Sequence, residues 1–185
     1  MPVLISFLRA INVGGHAKIK MDALRALYAS LKFQDPQTYV QSGNVIFKSS
    51  KRDLRLIANQ IQKAIEKKFG CCPEVILRST AELRAVVARN PFAGRPQIEP
   101  GKLHVFFLAG DPAKDAQENL RALAIQPEEL HLINRELFIY FPDGAGKSKL
   151  PWGRVDKALR TPGTARNWNS VVNILEIAET MEAGR

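Results

Sequence analysis

Cysteine is scarce in this chain of 185 residues: Cys71 and Cys72 are the only two, and they are neighbours. Adjacent Cα atoms stand ~3.8 Å apart, short of the ~4.4–6.8 Å a disulfide spans. No internal bridge is expected, and a reducing, cytoplasmic setting is. Histidine is nearly as rare, and His16, His104 and His131 show neither H-E-x-x-H nor Cys/His zinc spacing, so no metal site is expected. No run approaches the ~18–20 apolar residues of a membrane helix. The apolar start from Met1 to Leu8 has no basic residue before it and reads as a strand instead of a signal peptide. A G-x-S-x-G elbow and a G-x-G-x-x-G fingerprint are both missing. Gly144-Ala145-Gly146-Lys147-Ser148 looks like the end of a P-loop, but the glycine required five residues before Gly146 is Phe141. That stretch therefore reads as a surface loop, and no cofactor is expected.

What is present is an ordinary globular composition, 45% apolar and 24% charged, with a strong excess of positive charge. Residues 1–100 hold 16 basic and 7 acidic side chains, which is the whole net charge of +9; the remainder hold 11 of each. A one-sided positive field concentrates anions, whether nucleic acid or small acidic metabolites.

Hydrophobic periodicity orders the first half as β-α-β-β-α-β, followed by a helix. Val3–Leu8 is a buried strand and Met21–Leu31 an amphipathic helix. Two short strands flank Gln41-Ser42-Gly43-Asn44, Asp53–Phe69 is a long helix, and Pro73–Leu77 is a fourth strand. This is the split βαβ, ferredoxin-like arrangement. Three prolines and a glycine between Asn90 and Pro100 read as a linker. Beyond it the order restarts at Leu103–Leu108. A helix follows from Pro112 to about Leu123, then strands at Glu129–Ile133 and Leu137–Phe141, a short helix to Leu159, and a long helix from Arg166 to Met181. No clear last strand shows in this half. The expected fold class is α+β, two ferredoxin-like subdomains, each an antiparallel sheet with helices on one face. The expected division is a basic subdomain at 1–90, a linker at 91–101 and a second subdomain at 102–185 that ends in the long C-terminal helix.

Three polar segments are the candidate ligand-binding sites. The first runs from Arg9 through Asn12, Gly14 and Gly15 to Lys18; glycines admit close approach of backbone N–H groups to an anion. The second is the hairpin tip with Gln41, Ser42 and Asn44. The third, with Thr164, Arg166, Asn167 and Trp168, reads as the N-terminus of the last helix, where free N–H groups point outward. Arg9 and Arg166 would clamp an anion, and Gln41, Ser42 and Asn44 would orient it. No residue stands out as a general base. Arg9 and the third segment are expected to meet more readily than either meets the Gln41 tip, which this fold can place at the far end of the sheet.

These segments together resemble one family, the bacterial "domain of unknown function 1697" proteins. The similarity is carried by Phe7-Leu8-Arg9-Ala10-Ile11-Asn12-Val13-Gly14-Gly15, by Thr38 to Phe47, by Asn90-Pro91-Phe92, by Tyr140 to Gly144 with Ser148-Lys149-Leu150, and by Thr164 to Asn169. Ala10 departs from the glycine usual there. The resemblance implies two ferredoxin-like subdomains and no particular activity.

Two functional readings follow. One is a binder of an anionic partner, nucleic acid foremost, through the basic first half. Ferredoxin-like sheets bind single strands through aromatics on an open face, and Phe7, Tyr39 and Phe47 are the strand aromatics available. The other is an enzyme or sensor for a phosphorylated or carboxylated metabolite at a polar cleft between the subdomains.

Overall fold

A computed structural model describes residues 1–12, 18–123 and 126–184. The described residues form eight strands and six α-helices. The first run is β1 (Val3–Leu8), α1 (Met21–Ser30), β2 (Gln34–Tyr39), β3 (Asn44–Lys48), α2 (Leu54–Phe69), β4 (Val75–Ser79) and α3 (Thr80–Ala88). The second is β5 (Leu103–Leu108), α4 (Ala116–Arg121), β6 (Glu129–Ile133), β7 (Glu136–Tyr140), α5 (Trp152–Leu159), β8 (Gly163–Asn167) and α6 (Trp168–Ala183). The sheets have the orders β2-β3-β1-β4 and β6-β7-β5-β8, and all their strand pairs are antiparallel. Both are the ferredoxin-like order, so the fold class is as the sequence implies.

The missing last strand of the second half is β8. Thr164 to Asn167 are therefore strand and pair with Phe107 to His104 of β5; the last helix starts at Trp168, behind Asn167. The two repeats match in register. Ile5 lies opposite Arg78 in one sheet, and Val105 opposite Arg166 in the other. Each last strand runs straight into a helix. Ser79 and Glu82 form a capping box at α3, with the Ser79 N–H donating to Glu82 Oε2 at 2.8 Å and the Glu82 N–H donating to Ser79 Oγ at 3.2 Å. Asn167 Oδ1 accepts from the Asn169 N–H at 3.0 Å at the head of α6.

Two compact units divide the chain: Met1–Ala85 with Val172–Arg185, and Val86–Val171. The C-terminal helix, expected wholly with the second subdomain, thus contributes most of its length to the first. There Arg84 bonds Glu179 at 2.7 Å, and Asn173 donates to the Tyr39 hydroxyl at 3.0 Å. The expected linker is likewise structure. Phe92 is 2% exposed, its ring centroid 5.9 Å from that of Tyr140. Arg95 makes a two-pronged pair with Glu129 at 2.8 and 2.9 Å. Prolines in that stretch stop helix and strand without making the chain loose.

In the first unit Leu4 and Leu8 of β1, with Val45 and Phe47 of β3, share a core with Leu24, Leu27 and Tyr28 of α1 and Ile57, Ile61 and Ile65 of α2. The Tyr28 hydroxyl pairs with Ser6 Oγ at 2.8 Å, so neither is left unsatisfied. Alternation sends Val3, Ile5 and Phe7 to the other face, and these are also at most 1% exposed. β1 and β3 are thus covered on both faces, while no residue of edge strand β2 is buried. Phe7 and Phe47 are fully buried and Tyr39 is held by Asn173, which removes the stacking platform expected for single strands. In the second unit Phe106, Leu108, Leu137 and Ile139 pack with Leu120, Val155 and Leu159.

Candidate functional site

In an antiparallel sheet the end of one strand lies beside the start of its partner. Phe7 near the end of β1 faces Asn44 at the start of β3, so the hairpin tip between β2 and β3 stands at the same edge as the loop leaving β1. The Leu8 N–H donates to the Gly43 carbonyl at 2.9 Å. Gly43 has φ of 76°, and a Cβ there would stand 2.6 Å from Ile11 Cδ1 and 2.9 Å from Leu8 Cβ. Only glycine permits this approach. The buried Ile11 is thereby wedged against the tip.

Asn12 locks the corner. Its Oδ1 accepts from the Ile19 N–H at 2.7 Å, and its Nδ2 donates to the Ile19 carbonyl at 3.0 Å and to the Gln41 carbonyl at 2.9 Å. The amide thus acts as a strand-like partner for Ile19 and ties the first loop to the tip. Ile19 is sunk in the core at 4% exposure; in an extended segment its neighbours Lys18 and Lys20 must both point out. Asn12, Lys18, Ile19, Lys20, Met21, Asp22 and Gln41 line a cleft of about 660 Å³, within the ~300–1,000 Å³ of small-molecule sites. Asp22 is taken up by an ion pair with Arg25. Lys18 and Lys20 make no ion pair among the described residues, so the wall is electropositive.

Backbone strain gathers at this corner. Ala10, Asn12 and Val40 have φ of 58°, 54° and 49°. Asn tolerates that region; a β-branched valine rarely does. Val40 is also 52% exposed.

The second repeat has a cleft at the equivalent corner, lined by Asp111, Lys114, Gln117, Asn134 and Arg135 among others, with a volume of about 490 Å³. The Leu108 N–H bonds the Arg135 carbonyl at 2.9 Å, as Leu8 bonds Gly43. Topology supplies a hollow in each repeat, and each lining carries two cations and one carboxylate: Lys114, Arg135 and Asp111 in the second, Lys18, Lys20 and the Arg25-paired Asp22 in the first.

The sequence-predicted residues separate accordingly. Asn12, Lys18 and Gln41 meet in one cleft, against the expectation that the tip would stand apart. Gly14 and Gly15 lie outside the described residues. Arg9 is exposed, and its N–H continues the strand pairing by bonding the Glu74 carbonyl at 3.0 Å. Asn44 is buried, and its Nδ2 bonds the Tyr39 carbonyl at 3.0 Å and Ser42 Oγ at 2.9 Å, so Asn44 and Ser42 shape the turn. Thr164, Arg166, Asn167 and Trp168 belong to the second unit. Arg166 is no exposed clamp: it is 6% exposed and donates to Thr164 Oγ1 and the Ala165 carbonyl, both at 2.8 Å. Burial pulls its pKa down to about 10, still cationic at neutral pH. Asn167 caps α6 and donates to the Gly101 carbonyl at 2.7 Å. The Trp168 ring packs 6.4 Å from Phe138. Ile19, Lys20, Met21 and Asp22 are the lining residues that sequence reasoning missed. The alternation of Lys18 and Lys20 about an apolar Ile19 was the available signal.

Residues 1–138 match the model of the family described as "Protein of unknown function (DUF1697)". The chain belongs to this family. No curated protein matches it. A solved structure, that of the conserved bacterial protein SP0830 from Streptococcus pneumoniae, is similar over 96% of this chain and 98% of that one. Its TM-score is 0.67 at 18% identity, a likeness of fold. The DUF1697 region takes in both lining segments of the electropositive cleft.

Proposed function

We propose that the protein is a non-covalent binder of a small phosphate- or carboxylate-bearing ligand, held in the cleft between the β1–α1 loop and the β2–β3 tip. The observation that carries this reading is the Asn12 clamp. One side chain fixes both walls and leaves Lys18 and Lys20 facing the hollow without carboxylate partners among the described residues. Hydrogen bonds to charged groups contribute ~1.5–3 kcal/mol each, so two lysines and the polar wall suffice for selective capture of an anion. Met21 and the aliphatic lysine stems supply apolar contact beside the charge. Beside the Arg25-paired Asp22, the lining offers donors and positive charge, which is the equipment of binding.

A thermal-shift screen of nucleotides, sugar phosphates and simple carboxylates at low salt tests this. A ligand at about 100 times its Kd stabilises by ~2.7 kcal/mol, a rise in Tm of roughly 5–10 °C for a chain of this size. The rise should vanish in the Lys18→Gln/Lys20→Gln variant. A panel without any hit, or a hit indifferent to both lysines, would overturn the reading.

A further inference from the structure

The solvent face of α2 is the other concentration of charge. Asp53 caps this helix by accepting from the N–H groups of Arg55 and Leu56 at 2.9 and 3.1 Å, and Gly70 ends it with φ of 70°. Ile57, Ile61 and Ile65 are fully buried. At 100° per residue the opposite arc carries Arg55, Asn59, Lys63, Glu66 and Lys67, and Arg52 extends it; all are exposed. Three cations thus share the arc with one carboxylate, and Arg52 precedes the capping Asp53 just outside the helix. None of the four makes an ion pair among the described residues. From Arg55 to Lys67 the array runs ~18 Å along a rigid rod at ~1.5 Å per residue.

We propose that this face of α2 docks on the phosphate backbone of nucleic acid, with Arg52, Arg55, Lys63 and Lys67 as the contacts. Charge complementarity selects the partner class, and burial selects within it. A helix that lies on a membrane inserts its apolar face into the lipid. Here that face is spent on the core, and Leu56, 62% exposed, is the one large apolar side chain left outward. What remains is a cationic strip along one helix face, which suits sequence-independent contact with regularly spaced phosphates. The strip is separate from the Asn12 cleft, and this inference stands or falls without it.

Fluorescence anisotropy with a labelled 20-base-pair DNA duplex is the test, read from 50 to 200 mM salt. Four phosphate contacts give a slope of log K on log[salt] of about −3.6, roughly a hundredfold loss across that range. The Arg52→Gln/Arg55→Gln/Lys63→Gln/Lys67→Gln variant should lose the binding and flatten the slope, with circular dichroism unchanged because all four side chains are exposed. Lys18→Gln/Lys20→Gln should keep the duplex binding, which separates this result from the ligand screen. Duplex affinity that is flat with salt, or unchanged in the fourfold variant, overturns the proposal. So does preferential capture of phosphatidylserine vesicles through the same four residues.

Discussion

His104 shows what one misfit side chain does to a core. It sits on β5 with its ring 5.3 Å from that of Phe141, and its Nδ1 is buried without a hydrogen-bond partner. Burial holds the imidazole below its ordinary pKa; the Lys102 backbone offsets this in part. The unfolded chain therefore takes up the proton first as pH falls. The contribution of the neutral ring is complete above ~6.5 and is lost as pH drops through the folded-state value. His104→Leu keeps the packing and removes the orphan nitrogen. Its urea midpoint should exceed that of the parent most at pH 5.5, and the gap should narrow towards pH 8. A constant gap across that range would refute the titration account. At this scale the sequence was a poor guide. Arg166 looked like a surface clamp because arginine is mostly exposed; its burial follows from a strand pairing that no local pattern announced.

Among the elements, those with an apolar period were legible and those without one were not. β1, β5 and β6 match their expected bounds: β1 and β5 are largely apolar runs of fitting length, and β6, Glu-Leu-His-Leu-Ile, alternates polar and apolar before Ile133. β8 reads Gly-Thr-Ala-Arg-Asn and carries no such period. It is fixed by register with β5 and by close packing: a Cβ on Gly163 would lie 2.5 Å from Phe106 Cε1 and 2.7 Å from the Phe107 carbonyl oxygen. The repeat was the usable signal, since Arg78 and Arg166 hold equivalent registers. α4 begins at Ala116 instead of Pro112 because the Ala113 N–H bonds the Leu159 carbonyl at 3.0 Å, drawing the preceding turn to the end of α5. The cleft was legible in its residues and illegible in its geometry, which depends on the antiparallel pairing of β1 with β3. Gly43→Ala tests that corner. Left-handed strain and the approach to Leu8 Cβ together should cost at least ~2 kcal/mol in urea unfolding. A loss under about 0.5 kcal/mol would show that the tip relaxes freely.

At the scale of the whole molecule, no helix among the described residues is long and apolar enough to cross a membrane. The first unit is discontinuous in sequence. Its final portion, 172–185, includes Ile174 and Ala178, both fully buried, and Met181 at 6% exposure. A chain cut after Val171 should lose protection of the β1 and β3 amides in hydrogen exchange, because part of the first unit's own apolar cover is gone. Undiminished protection there would mean that residues 1–85 are self-sufficient. The same discontinuity sets an order of events on the ribosome. Residues 86–171 are made between the two parts of the first unit, and at ~5–20 residues per second that interval lasts roughly 4–17 s. The unit begun first is the one finished last. Nascent chains stalled before Val172 should be nicked by protease within residues 1–85, at sites that the released protein shields.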